Sequence, residues 1–162
     1  MRRFIATLDR LIAIVIGALQ WLALPLVLLL FLQWPLRDLI GCCSRPANDL
    51  GQIFFAVFVA ASVTAATRAG MHLAADALAQ RYPARTRHRI RQFGALLGLV
   101  PWALFVLIAS KAPVLGSLAQ REAFADTGNP GYFIIKLALW LMAILILGQA
   151  VVDIAKPLPD EP

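Results

Sequence analysis

Charged side chains cut the sequence into long blank stretches. None occurs within residues 11–36, 50–67, 92–110 or 137–152, runs of 26, 18, 19 and 16 residues. A helix crossing a hydrocarbon core of about 30 Å needs about 20 mostly apolar residues. Because lipid offers the backbone no hydrogen bonds, open strands are excluded. The pattern therefore predicts an all-α integral membrane protein, a single membrane domain over 1–162 with four transmembrane helices at about 11–34, 49–67, 92–110 and 132–154. The last reaches spanning length if the Lys136 stem snorkels and the helix begins near Tyr132.

The boundaries carry their own signals. Pro25 removes a backbone donor inside the first span and predicts a kink. Trp34-Pro35 marks its outer limit, tryptophan favouring the headgroup level and proline disfavouring helix just before it. Asn48 or Asp49 is placed to cap the second span, an anion against the positive end of the helix dipole. That span is rich in small residues, Ala56, Ala60, Ala61, Ser62, Thr64, Ala65, Ala66 and Thr67, which suit close helix packing. Between spans two and three, residues 69–82 form no turn-rich loop. Met71, Ala74 or Ala75, Leu78 and Tyr82 share one face, predicting an interfacial amphipathic helix along the membrane surface. Pro83 ends it. The connection from Lys111 to Gly131 is longer than a hairpin needs and closes on Gly128-Asn129-Pro130-Gly131, with room for the third helix to run beyond the bilayer.

Composition agrees with this reading: 60% of residues are hydrophobic and 15% charged, and mean hydropathy is +0.76. Arg2 and Arg3 before an apolar run resemble a secretory signal. The run is far longer than the about 7 to 15 residues of such a segment, so residues 1–10 are read as a cytoplasmic stub. The formal charge of +6 matters through its distribution. Ten basic residues lie before span one, between spans two and three and after span four; five lie in the other two loops. The excess of positive charge on one side places both termini in the cytoplasm. The run Arg85-Thr86-Arg87-His88-Arg89-Ile90-Arg91 is then a basic flank held against membrane lipids. It lacks the aromatic interleaving that a nucleic-acid surface uses, so no nucleic-acid partner is expected.

Candidate chemistry is sparse. Proton relays and ion paths need ionisable groups at depth, whereas the polar groups near the middle of the spans are Gln20, Ser62, Thr64 and Gln149, which more often join helices than carry protons. His72 and His88, 16 positions apart, have no carboxylate pair or cysteine at metal-ligand spacing. Adjacent Cys42-Cys43 offer neither a CxxC redox motif nor an easily closed disulfide. No catalytic residue, cofactor or metal site is predicted, and the chain is not read as an enzyme. Arg68, His72 and Asp76 lie four residues apart along one helical row. Such a row is either a solvated face or an interface that sets a partner's register.

From Asn48-Asp49-Leu50-Gly51 through Arg68-Ala69-Gly70-Met71-His72-Leu73-Ala74-Ala75-Asp76-Ala77-Leu78, the sequence resembles the small membrane subunits, DctQ-like, of tripartite ATP-independent periplasmic (TRAP) transporters. The shared features are an acidic start to the second helix and an R-x-x-x-H-x-x-x-D-x-L stretch after it. Arg37 also resembles an arginine common in these subunits, and the resemblance implies an outer-face ion pair with Asp49. Arg37, Asp49, Arg68, His72 and Asp76 are thus the expected interface or structural residues. The resemblance further implies a scaffold in the bacterial inner membrane. Its partners would be a large multi-span subunit, which holds the substrate and sodium sites, and a periplasmic binding protein that delivers an organic acid. The alternative from another class is a stand-alone four-helix membrane protein, either a homo-oligomeric channel or a small membrane enzyme.

Overall fold

The computed structural model of the chain describes residues 2–40, 44–69 and 82–155. The described helices are α1 (Arg2–Gln20), α2 (Ala23–Ile40), α3 (Ser44–Ala69), α4 (Ala84–Gly94), a π-helical segment (Ala95–Leu99), α5 (Val100–Ala109), α6 (Lys111–Ala119) and α7 (Tyr132–Ala155). They assemble into four helical rods long and apolar enough to cross a membrane: Arg3–Pro35, Arg45–Ala69, Arg85–Ala109 and Tyr132–Ala155. The expected interfacial helix over 69–82 falls almost wholly outside the described residues, as do Cys42 and Cys43.

Three prolines explain why the rods are segmented. A proline cannot donate to the carbonyl four residues earlier, and its ring crowds that carbonyl. Pro25 accordingly breaks the first rod at Trp21-Leu22, where the ladder tightens to three-residue steps, Trp21 N–H to Ala18 O at 3.3 Å and Leu24 N–H to Trp21 O at 3.2 Å. Pro101 follows the π segment, which closes with Val100 N–H donating to Ala95 O, five residues back. Pro113 lies just beyond the turn at Ser110 that separates α5 from α6. In each case the disturbance appears about one turn before the ring.

Two boundaries differ from those read in the sequence. Trp34-Pro35 ends the apolar part of the first rod but not the helix, since α2 carries Pro35 inside it and continues to Ile40. One lost backbone bond there is a tolerable cost for a helix already leaving the bilayer. The second rod starts at Ser44, so Asp49 sits in its second turn and is not a cap.

α7 is the central rod, touching α1, α3, α4, α5, α6 and the π segment, while α2 packs on α3. Small residues let the backbones approach: Ala60, Ala61 and Thr64 of α3 and Ala138, Ala143 and Ala150 of α7 are buried. This agrees with the expectation that the small residues of the second span suit close helix packing. Hydrocarbon side chains gain little from leaving lipid, so contact between close-fitting surfaces carries more of the stability than it does in water. The Ile12, Ile16 and Val152 cluster joins α1 to α7. At Gly148 the approach is close, because a Cβ there would stand 3.1 Å from Ile12 Cδ1.

Candidate functional site

The polar residues gather at the two ends of the bundle. At the end shared by Asp9 and Asp153, hereafter the clasp end, side chains from all four rods connect. Arg68, one residue before the end of α3, pairs with Asp9 of α1 at 2.8 Å. Its Nη1 also donates to Asp9 O at 3.3 Å and to Gln149 Oε1 at 3.2 Å. Gln149 is fully buried on α7, and its Nε2 donates to Asp153 Oδ1 one turn later at 3.1 Å. Arg91 of α4 completes the set, with Nη2 3.2 and 3.3 Å from the two Asp153 oxygens and 3.2 Å from Arg68 O. Gln92 Nε2 caps Ile154 O at 3.0 Å.

The asymmetry of burial decides how this network acts. Asp153 is almost completely enclosed whereas Arg91 is nearly half exposed, so the arginine brings charge in from the surface to a carboxylate that has left water. A buried carboxylate without such a partner is costly. The Asp9–Arg68 pair is about a third exposed on each side, and solvent weakens it correspondingly. The arrangement binds helices to one another and leaves the Gln149 amide occupied on both its oxygen and its nitrogen.

At the opposite, loop end the anchor is Asp49, 7% exposed on α3. Its Oδ2 accepts from Thr127 Oγ1 at 2.6 Å and from Asn129 Nδ2 at 2.9 Å. The loop that presents those donors is itself folded. Arg121 adopts a left-handed φ of 48°, and the bonds Glu122 N–H to Ser117 O (3.0 Å) and Arg121 N–H to Leu118 O (3.2 Å) make the paired closure of a Schellman helix end. Phe124 is buried, and its N–H reaches Asn129 O at 2.9 Å. Gly131 adopts φ 134°, a conformation that favours glycine, and a Cβ there would stand 3.1 Å from Ile53 Cδ1, which would have to give way. Lys136 pairs with Glu122. That ammonium, and secondarily the Ser117 hydroxyl, holds the Glu122 carboxyl below its usual range. Trp140 Nε1 donates to Ser110 Oγ at 2.9 Å, tying α7 to the end of α5.

The expected site residues divide accordingly. Asp49 and Arg68 are both engaged, one at each end. Arg68 turns inward to Asp9 and Gln149. Arg37 lies in α2, but its side chain is outside the described residues, as are His72 and Asp76. The donors to Asp49 within the described residues are Thr127 and Asn129. Gln149, one of the few polar groups named within the spans, joins α3 to α7 here. Asp9, Arg91 and Asp153 were not singled out as site residues. A usable signal existed for Asp153: it ends the fourth charge-free run four residues after Gln149, on the same helical face. Among the described residues no group of three or more His, Cys, Asp or Glu is arranged to hold a metal ion.

Neither a curated protein nor a solved structure matches the chain. Residues 26–160 match the family described as Tripartite ATP-independent periplasmic transporters, DctQ component. That stretch takes in α3 to α7, most of α2, the loop end and all of the clasp except Asp9, and the family is one of transporter components rather than of enzymes. The chain, a multi-pass membrane protein, belongs to the DctQ family of TRAP transporter subunits.

Proposed function

We propose that this chain is the scaffold subunit of a sodium-driven TRAP-type importer of an organic acid. It acts in the bacterial inner membrane with a large multi-span transport subunit and a periplasmic substrate-binding protein. Both termini and the clasp end face the cytoplasm, and the Asp49 loop end faces the periplasm. The observation that carries the reading is the clasp, in which charged and amide groups of four rods are spent on one another. A block tied in this way suits a stationary support for a moving partner, whose own polar groups bind substrate and sodium. Residues 69–82, with His72 and Asp76, extend that support along the cytoplasmic surface as an amphipathic helix. Arg37 belongs with Asp49 on the outer face.

The test is co-purification and transport. The tagged chain, extracted in mild detergent from its native host, should bring down a large polytopic subunit. Proteoliposomes holding both subunits and the binding protein should take up substrate only with an inward sodium gradient. His72→Ala and Asp76→Ala should lower uptake or assembly while leaving membrane insertion intact. Substrate or ion flux by the chain alone in liposomes would overturn the scaffold reading in favour of a self-sufficient channel or enzyme.

A further inference from the structure

At the loop end, α2, the first turns of α3 and the 122–132 region line a cavity of about 960 Å³. Two kinds of wall meet there. Leu30 and Trp34 of α2 form an apolar rim, and both are largely exposed where the first apolar rod reaches its limit at Pro35. The remaining wall is polar and incompletely satisfied from within. Gln33 Nε2 is buried with no acceptor among the described residues. Arg45 and Asp126 line the same space as exposed charges. Asp49 is more than nine-tenths buried and takes both loop donors on Oδ2. Buried polar atoms are costly when unmatched. The complement of this wall is an acceptor anion for Gln33 and Arg45 together with an N–H donor for Asp126.

We propose that this cavity binds the headgroup of a phosphatidylethanolamine-type phospholipid. The phosphate lies against Arg45 and Gln33 Nε2, the ammonium against Asp126, and the acyl chains run down the Leu30 side of α2. Both halves of the zwitterion are needed. Phosphatidylglycerol supplies the phosphate but no cation, leaving the Asp126 carboxylate facing a further anion. Choline carries the positive charge but has no N–H to donate. The apolar rim places the opening on the lipid side, which favours a lipid over a free phosphate compound. The volume lies within the range of about 300 to 1,000 Å³ usual for small-molecule sites. Nothing in this site depends on the transport partners, so it stands or falls separately from the proposed function.

Native mass spectrometry of the delipidated full chain, titrated with phosphatidylethanolamine, phosphatidylcholine and phosphatidylglycerol, tests it. One phosphatidylethanolamine should be retained with about tenfold preference over phosphatidylglycerol. Arg45→Gln should weaken that retention about tenfold, with Arg45→Lys recovering part of it. Asp126→Asn should erase the preference between the two lipids. Both positions are exposed, and unchanged lipid-free thermal unfolding would show that the variants fold. Equal retention of all three lipids, or unaltered binding by Arg45→Gln, would overturn the proposal. Phosphoethanolamine without chains binding as tightly as the lipid would overturn it by assigning the site to a soluble phosphate ester. Protection of Arg45 from chemical labelling only within a protein complex, with no lipid retained, would give the cavity to a partner chain.

Discussion

At the clasp end five side chains from four rods exchange charge-assisted bonds, Asp9, Arg68, Arg91, Gln149 and Asp153. At the loop end one carboxylate, Asp49, takes neutral hydroxyl and amide donors from a single folded loop. The first arrangement joins rods that have little hydrophobic reason to associate in lipid. The second orders a loop upon a rod already in place. Damage at the clasp should therefore loosen the whole bundle, and damage at Asp49 should loosen only what it holds.

The largest effect is expected from Asp153→Ala. It leaves Gln149 Nε2 without its acceptor in a fully buried position and deprives Arg91 of its carboxylate. Arg91 can return to water because it is nearly half exposed, so the loss should be about 3 kcal/mol, the lower part of the range for broken buried pairs. Thermal unfolding in detergent measures it. Asp153→Asn, which can still accept from Gln149, should lose about half as much. A clasp whose removal changes unfolding no more than a surface substitution would abolish the distinction between the ends.

Asp49→Ala comes next, at about 2 kcal/mol for the loss of two hydrogen bonds to a buried anion. Its signature is local. Amide exchange and protease cutting should rise across residues 122–131 while exchange in α7 near Gln149 stays slow. Asp49→Asn retains an acceptor and should show a smaller rise. Equal loosening of both ends would mean that the loop is part of the global fold and not a separately ordered element.

Arg121→Gly sharpens the same end in the opposite direction. Arg121 closes the Schellman turn at φ 48°, a conformation that costs a side-chain-bearing residue about 1 kcal/mol. Glycine removes that cost but adds freedom to the unfolded chain. A net gain of about 0.5 kcal/mol in loop stability is expected from the balance, read as slower exchange at the Glu122 amide.

The two ends also differ in how far the sequence discloses them. The four rods are legible because charge-free length is a direct physical requirement of the bilayer. The segmentation at Trp21-Leu22 was foreseeable from Pro25, and the same reasoning applies to Pro101 and Pro113. Asp49 and Arg68 stood out through their spacing and family resemblance, but their partners did not. Arg68 meets Asp9 and Gln149 across 59 and 81 positions of sequence, and Asp49 meets Thr127 across 78. Such pairings depend on which rods become neighbours, and periodicity along one rod carries no information about that. Asp153 looked like an ordinary span end because nothing in its local sequence indicates that Arg91 would reach it.

The smallest effect, and the narrowest test of the comparison, concerns pH at the loop end. Lys136 holds Glu122 below its ordinary value of 4.5, with the Ser117 hydroxyl as a second cause. A carboxylate with a lowered pKa contributes stability that is fully present above the ordinary value and is lost as pH falls through the lowered one. Loop stability should therefore be level from about pH 8 to about pH 5 and fall only in more acidic solution. Phe133 N–H donates to Glu122 O at 3.4 Å, so its amide exchange reports the loss once the intrinsic pH dependence of exchange is divided out. Glu122→Gln should remove the acid-induced change while leaving Thr127 and Asn129 on Asp49. The pair is solvent-accessible, so the change should remain confined to the loop and its entry into α7. If protection instead changed in the level range, or the acid-induced change persisted in Glu122→Gln, the pH response would belong to another carboxylate.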